Sequence, residues 1–252
     1  MDWHWHIFET LSSTNSYCKE NAASLPHGSI VIARSQTAGR GRRGKAWVDS
    51  PPDSALAMSI LLKSEGDEAL RGYAPVMPLV IGVAVARAVF ALSGRACTIK
   101  WPNDVLLENK KLCGILCESL VCGDSFCLVG GFGVNLTQPR TFFDENGLPH
   151  ATSIAAETGG LYTREQAADA IAAQLSSALA TVQAEGFGPI RDEYAGLCIN
   201  IGREVDVSVN GARMRALAVG IADNGNLICE AGGSRFTVNA GEASVRGVYG
   251  YV

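Results

Sequence analysis

Alternation between strand-like and helical segments limits the folds open to this 252-residue chain. Segments rich in β-branched or alternating apolar residues predict strands at 3–8, 29–34, 55–63, 97–101, 105–108, 112–121 and 126–136. Helices are expected from Ser12 or Ser13 to about 24, over a buried run at 70–92, and from the capping box Thr163-x-x-Gln166 to Gly186. We therefore expect an α+β fold in which one mixed or antiparallel sheet carries flanking helices.

The composition changes after about residue 197. Short strands are expected at 204–209, 212–221, 227–230, 235–238 and 243–247. They are separated by Asn210-Gly211, Asp223-Asn224-Gly225 and Gly232-Gly233, which are hairpin turn signals. Short strands at this spacing predict a small C-terminal β-barrel of SH3-like type. We expect two domains, at 1–196 and 197–252.

Charge and hydropathy indicate which surfaces and compartments the protein is suited to. The apolar run at 74–86 is too short to span a bilayer, and Pro78 suits the first turn of a buried helix. The formal net charge of −4 argues against a nucleic-acid surface over the whole protein. No signal peptide precedes the first motif, so we expect a cytoplasmic protein with no membrane contact.

Eight cysteines raise the question of a metal site. Four of them lie between 113 and 127, but none of their spacings is C-x-x-C. Small apolar thiols on two adjoining strands explain them better, and no zinc is expected. His4 and His6 would share one face of a strand, where an edge-strand surface is favoured over a metal site.

The segment from Gln36 to Trp47 combines three glycines with a cluster of cations. Glycine lets a backbone approach a ligand closely, and Arg40, Arg42 and their neighbours offer charge to an anion. Ala46 stands where a Walker A loop needs a hydroxyl, so a P-loop is not expected. A solvated basic turn is the structural alternative.

Three further clusters carry polar groups suited to a ligand. Residues 12–15, Ser-Ser-Thr-Asn, would cap a helix or bind a small polar group. Residues 100–104, Lys-Trp-Pro-Asn-Asp, form a turn by their own chemistry, and their lysine and acid could bind phosphate and magnesium. The glycine-rich segment 130–136 marks a bulge or a close approach by a ligand.

The order of these motifs, with Lys-Leu-x-Gly-Ile-Leu-x-Glu at 111–118, resembles that of the biotin protein ligases from about Ser12 to the C-terminus. The resemblance implies a class II synthetase-like catalytic domain followed by an SH3-like domain. It also implies ATP-dependent attachment of biotin, through biotinyl-5′-AMP, to one lysine of a carboxyl carrier protein. The first motif begins so early that an N-terminal DNA-binding domain is not expected.

The resemblance also implies roles for individual residues. Those expected to bind biotin are Ser13, Thr14, Asn15, Gln36, Arg40, Gly41, Arg42 and Lys111. Lys111, Arg40 and Arg42 would also be catalytic, because cations offset the repulsion between a carboxylate and a polyphosphate. Those expected to bind the nucleotide are Trp47, Lys100, Asn103, Asp104 and Asn135. Asp104 would also contact Mg²⁺.

Two other functions compete with this one. A lipoate or octanoate protein ligase would have a related fold and a similar carrier lysine, but those proteins lack the Gly-Arg-Gly-Arg-Arg-Gly loop. A non-catalytic nucleic-acid-binding module would use the arginine loop as its contact, and would be expected to show a wider basic face or stacking aromatics. As partners we expect biotin, ATP and a carrier protein, with no nucleic acid, and a monomer or weak homodimer.

Overall fold

A computed structural model describes residues 1–44, 47–48, 50–65, 68–209, 212–240 and 245–247. Its larger part consists of β1 (His4–Leu11), α1 (Thr14–Glu20), β2 (Ser29–Gln36), β3 (Ala55–Glu65), α2 (Glu68–Tyr73), α3 (Met77–Ser93), β4 (Thr98–Lys100), β5 (Asp104–Leu107), β6 (Lys110–Cys122), β7 (Ser125–Asn135), α4 (Arg140–Glu145), α5 (Ile154–Thr158), α6 (Arg164–Glu185) and α7 (Gly188–Leu197). The C-terminal part consists of β8 (Glu204–Val209), β9 (Ala212–Ile221), β10 (Leu227–Ala231), β11 (Ser234–Val238) and β12 (Val245–Gly247).

Two sheets organise these elements. The first has seven strands in the order β1-β2-β3-β7-β6-β5-β4. It is mixed, because β1 runs parallel to β2 while the other neighbours are antiparallel. The second is a five-stranded antiparallel sheet in the order β11-β10-β9-β8-β12. The α+β class predicted from the sequence is therefore confirmed.

Apolar residues cover both faces of the large sheet. Ile30 and Ile32 pack into a large core beneath α3 and α6, whereas Val31, between them, belongs to a smaller core beneath α1. This alternation follows from the two-residue period of a strand. The small core holds α1 against the sheet, and with it the side chains at the N-terminus of that helix.

The predicted central helix is a core element of this fold. Pro78 lies in the first turn of α3, as expected, and a short 3-10 turn at Ala74–Val76 precedes the helix. The continuous helical segment Leu70–Ser93 is long and apolar enough to cross a membrane, but 67% of its most apolar window is buried inside the protein. Core helices pass the same test of length and composition.

The cysteines at 113–127 divide between the two faces of the sheet. Cys113 and Cys117 pack in the large core, while Cys122 and Cys127 pack in the small one. Burial raises the pKa of the Cys117 thiol to about 12, so it stays protonated at neutral pH. The explanation from two adjoining strands is confirmed, since all four lie on β6 or β7.

Most predicted elements are present, with shifts at their ends. The capping box at Thr163 and Gln166 opens α6, and Gly186 ends it. The predicted first helix stops at Glu20 rather than near 24, and α4, α5 and α7 were not predicted. The turn at Asn210-Gly211 and the start of the last predicted strand, at 243–244, lie outside the described residues. The predicted domain boundary coincides with the end of α7 and stays a prediction.

Candidate functional site

A cavity of about 510 Å³ lies over the face of the sheet that carries α1. Its lining joins all five of the sequence motifs: Ser13, Thr14, Asn15, Gln36, Arg40, Gly41, Arg42, Trp47, Asn103, Lys111, Gly114, Ile115, Leu116, Gly131, Phe132 and Gly133. Every residue expected to bind biotin is in this set, together with Trp47 and Asn103.

One end of the cavity is built from hydroxyl and amide groups at the start of α1. Ser13 caps the helix, so Thr14 and Asn15 are presented in its first turn. The backbone amide of Thr14 donates to Gln36 Oε1 at 2.8 Å, which leaves Nε2 as the donor end of that side chain. Ser59 on β3 donates to Asn15 Oδ1 at 2.6 Å. These bonds fix the polar groups that a ligand would meet.

Glycines in β6 and β7 make room for two of the lining side chains. Gly114 and Gly133 lie opposite each other in the ladder, and the Trp47 indole packs across both. A Cβ at either position would lie 2.9 Å from that ring, closer than real Cβ contacts. At Gly131 a Cβ would lie 1.7 Å from Asn15 Oδ1. The glycine-rich strand predicted to admit a ligand therefore admits protein side chains as well.

The loop that carries the arginines is tied to the protein at both ends. The amide of Ala38 donates to the carbonyl of Ser12 at 2.8 Å, and the amide of Trp47 donates to the carbonyl of Gly39 at 3.0 Å. Between these ties the chain makes a 3-10 turn at Arg42–Gly44, with a left-handed φ of 74° at Gly44. Lys45 and Ala46 lie outside the described residues.

Arg42 bridges the loop to two other parts of the chain. Its guanidinium donates to Asn103 Oδ1 at 2.8 Å and to the carbonyl of Ala240, just after β11. Burial lowers the pKa of Arg42 and the neighbouring Arg43 lowers it further, while Asp104 opposes both. A partly desolvated cation of this kind attracts an anion more strongly than one in water does.

Lys111 reaches the cavity because of a β-bulge. The pairing of β5 with β6 shifts by one residue between Val105 and Leu106, so that Leu112 is the extra residue on β6. As a result Lys111 and Gly114 share a face, and Lys111 Nζ lies 3.3 Å from where a Cβ of Gly114 would be. The ammonium forms an ion pair with Asp104 at 2.7 Å.

A neighbouring segment fixes the backbone of Lys111. Its amide donates to the carbonyl of His150 at 2.7 Å, and its carbonyl accepts from the amide of Thr152 at 2.9 Å. The short bridge between Lys111 and Ala151 is parallel. The lysine is thus held on both sides, by β5 and by this segment, with its side chain directed to the cavity.

Three residues expected to bind the nucleotide lie outside the cavity lining. Asp104 is next to it, through its ion pair with Lys111. Lys100 pairs with Asp104 across the hairpin of β4 and β5, which confirms the turn predicted at 101–103. Asn135 is buried, donates to the carbonyl of Thr152 at 2.8 Å and accepts from Gln138 at 3.2 Å. The nucleotide roles of these three side chains stay predictions.

Sequence reasoning missed other residues at the site. Ser59 and Glu118 contact Asn15, and Phe132 lines the cavity, but none of them was predicted to do so. Strand periodicity was the available signal for Glu118. It lies two residues after Leu116, which lines the cavity, and therefore on the same face of β6. Over the described part of the chain, no three His, Cys, Asp or Glu side chains are grouped so that they could hold a metal ion.

Comparison with known proteins agrees with this architecture. The family model of the biotin/lipoate A/B protein ligases matches residues 7–135, and that of the biotin protein ligase C-terminal domain matches residues 201–246. A biotin–[acetyl-CoA-carboxylase] ligase of Paracoccus denitrificans is 33% identical over 238 residues, which cover 91% of this chain and 95% of the relative. The bifunctional ligase/repressor BirA of Escherichia coli is 31% identical over 242 residues, covering 95% and 73%.

A solved structure shares the fold over nearly the whole chain. The biotin protein ligase from Aquifex aeolicus, in complex with biotin and ATP, superposes with a TM-score of 0.81 at 25% identity, covering 97% of this chain and 99% of that one. Fold and site together define an α+β protein with a cavity, lined by Arg42 and Lys111, over one face of a mixed sheet. More narrowly, the chain belongs to the biotin/lipoate A/B protein ligase family.

Proposed function

We propose that this protein is a biotin protein ligase, which activates biotin with ATP as biotinyl-5′-AMP and transfers the biotinyl group to a lysine of a carboxyl carrier protein. The observation that carries the proposal is the composition of one cavity. Residues from five separate motifs meet there, with hydroxyl and amide groups at one end and Arg42 and Lys111 at the other. The similarity to named biotin ligases over nearly the whole chain supports it.

The two ends of the cavity suit the two ends of biotin. Thr14, Asn15 and Gln36 offer donors and acceptors at fixed positions for an uncharged ureido ring. The Trp47 indole, which packs across Gly114 and Gly133, offers an apolar surface to the middle of the ligand. Lys111 and Arg42 supply positive charge where the carboxylate would lie.

The first chemical step requires cations. A carboxylate oxygen attacks the α-phosphorus of ATP, a new P–O bond forms, and the bond to the pyrophosphate oxygen breaks. Two anions approach each other in this step, so Lys111, Arg42 and Arg40 would offset their repulsion in the transition state.

In the second step the carrier amine attacks the carbonyl carbon and AMP leaves with the electron pair of the broken C–O bond. The amine also loses a proton.

Magnesium is expected to accompany ATP, yet the described residues do not build a protein site for it. Asp104 is a single carboxylate and is already paired with Lys111 at 2.7 Å. Magnesium bound with nucleotides usually keeps several waters and phosphate ligands and uses one or two carboxylates. We therefore propose that it arrives as the counter-ion of ATP, and we assign no step to a metal bound by Asp104.

A lipoate or octanoate ligase is the nearest alternative, because the matching family model includes both classes. Two observations favour biotin. Residues 201–246 match the C-terminal domain model of biotin protein ligases, and the curated relatives described above are named as ligases of that class or as BirA. The polar groups around Asn15 also suit a ureido ring better than an alkyl chain.

The test is ATP–pyrophosphate exchange by purified protein with biotin, lipoate, octanoate or no acid. We expect exchange that depends on biotin alone. Exchange with lipoate or octanoate instead would keep the mechanism and replace the substrate. Folded protein without exchange for any acid would refute the proposal and favour the nucleic-acid-binding module, which a steep salt dependence of DNA or RNA binding would then reveal.

Three further features belong to the proposal. The acceptor is a carboxyl carrier protein, the class that biotin ligases modify. The protein acts in the cytoplasm, where its eight cysteines stay reduced. It works as a monomer or weak homodimer without nucleic acid, and size-exclusion chromatography with light scattering over a range of concentrations would measure this state.

A further inference from the structure

Three distant parts of the chain meet at one carboxylate beside the cavity. Glu118, on β6, lies 2.7 Å from Lys19 Nζ, 3.0 Å from Asn15 Nδ2 and 3.4 Å from Arg40 Nη2. Its side chain is only 20% exposed. An acid is unexpected next to a cavity suited to an anion, so its contacts need an explanation.

The contact with Asn15 fixes an amide that faces the ligand. Asn15 Nδ2 donates to Glu118 and to the carbonyl of Leu116 at 3.1 Å, while Oδ1 accepts from Ser59 at 2.6 Å. Both ends of the amide are therefore engaged, and it has one orientation. A hydrogen bond to an ionised acceptor is about twice as strong as a neutral one, so Glu118 contributes much of this constraint.

The contact with Arg40 ties the arginine loop to the sheet across the cavity. Arg40 is 49% exposed, so the pair contributes little to global stability. Its effect is local, because Arg40 lies between the tie of Ala38 to Ser12 and the bonds that Arg42 makes to Asn103 and Ala240. Releasing Arg40 would leave the following turn with fewer attachments.

Glu118 makes these contacts as an ionised carboxylate. Burial disfavours its ionised form, but hydrogen bonds from Lys19 and Asn15 outweigh this and lower its pKa, so it is a carboxylate at neutral pH. Lys19 and Arg40 both lie against this carboxylate, so two cations offset its charge. Glu118 therefore acts through the groups that it holds and not by repelling an anion.

We propose that Glu118 is a positioning residue for the ligase reaction: it holds Asn15 and Arg40 in the arrangement that binds biotin. This inference rests on the proposed function. It adds a role for an acid that touches the residues around the ligand rather than the reacting atoms.

The test compares Glu118→Gln with two controls. Lys19→Met removes the outer ion pair but leaves the contacts to Asn15 and Arg40, and Glu193→Gln removes a similar carboxylate paired with Arg87, far from the cavity. Biotin affinity is measured by calorimetry, exchange kinetics give KM and kcat, and mass spectrometry measures tryptic cleavage after Arg40, Arg42 and Arg43 in the free protein.

We expect Glu118→Gln to weaken biotin binding by about tenfold, the loss of one charge-assisted hydrogen bond. KM for biotin should rise while kcat at saturating biotin changes less than about threefold, and cleavage of the loop should accelerate. The two controls should behave like the wild type. Unchanged affinity and cleavage, or a lower melting temperature alone, would overturn the inference. If the wild type binds no biotin, the proposed function fails and the cleavage rates still decide whether Glu118 restrains the loop.

Discussion

Replacing Gly131 by alanine tests whether the lack of a side chain at this position is what makes room for Asn15. Gly131, on β7, lies opposite Ser59 and Leu116 in the ladder, directly beneath the side chain of Asn15. A Cβ added there would lie 1.7 Å from Asn15 Oδ1 and 2.6 Å from its Cγ. No small adjustment relieves such an overlap, so the asparagine must leave its position.

The cost can be worked out from the bonds that Asn15 would lose. They are its donations to Leu116 O and Glu118, at 3.1 and 3.0 Å, and its acceptance from Ser59 at 2.6 Å. At 0.5–1.5 kcal/mol for each net bond, the loss is about 2–4 kcal/mol. For a chain of this size, where 1 kcal/mol corresponds to about 2–4 °C, we expect the melting temperature to fall by roughly 4–16 °C. Biotin affinity should fall as well, because the displaced amide occupies part of the cavity.

The matched control is Gly220→Ala, in strand β9. Its added Cβ would meet only Ile228 Cδ1, at an ordinary 3.7 Å. Thermal unfolding and biotin titration of both variants measure the effect. In an Asn15→Ala background the Gly131 substitution should cost much less, since the atom it strikes is gone. Equal melting temperatures for Gly131→Ala and Gly220→Ala, or full additivity with Asn15→Ala, would refute the reasoning.

Three more predictions concern charges. Lys111→Ala should abolish biotin-dependent pyrophosphate exchange in a protein that still folds; near-normal exchange would contradict its role as the cation at the carboxylate. Arg42→Gly should accelerate the release of biotinyl-5′-AMP, because the loop loses its bond to Asn103; a stopped-flow off-rate equal to that of the wild type would remove that role. Glu157 is partly buried, which raises its pKa, but hydrogen bonds from Lys110 and Thr152 outweigh this and lower the pKa below the ordinary 4.5. Its ionised form therefore adds stability above that pH, so the difference in unfolding free energy between wild type and Glu157→Gln should shrink as the pH falls below 4.5. Denaturant titrations from pH 7 to pH 3 would measure it, and a difference that grows on acidification would be inconsistent with this sign.

Local patterns were enough to predict much of the fold. The strand β8 has the predicted bounds, and the capping box at Thr163 opens α6, because turn and cap chemistry act over a few residues. The helix α7 was not predicted. It begins with Gly188-Pro189, contains Gly196, and is held mainly by burying Ile190 and Tyr194. Tertiary packing decides such a segment, and local propensity does not reveal it.

The site was predicted only as a set of motifs, and its supporting residues were not. Ser59 meets Asn15 because β3 pairs with β7, which places Ser59 opposite Gly131, some 72 positions further along the chain. Glu118 meets Arg40 across 78 positions. Sequence periodicity indicates which face of a strand a residue occupies, but not which strand lies beside it.

For Lys111, strand periodicity alone predicts the wrong face. In a regular strand, residues three apart point to opposite faces, so Lys111 and Gly114 could not both line one cavity. They do so because Leu112 is an extra residue opposite β5, and the bulge turns Lys111 to the side of Gly114, where it pairs with Asp104 at 2.7 Å. The motif spacing Lys-x-x-Gly is compatible with a shared face only if the strand is bulged. The spacing of the motif therefore requires the bulge. The pairing of β5 with β6, which creates the bulge, determines where the charge of Lys111 lies.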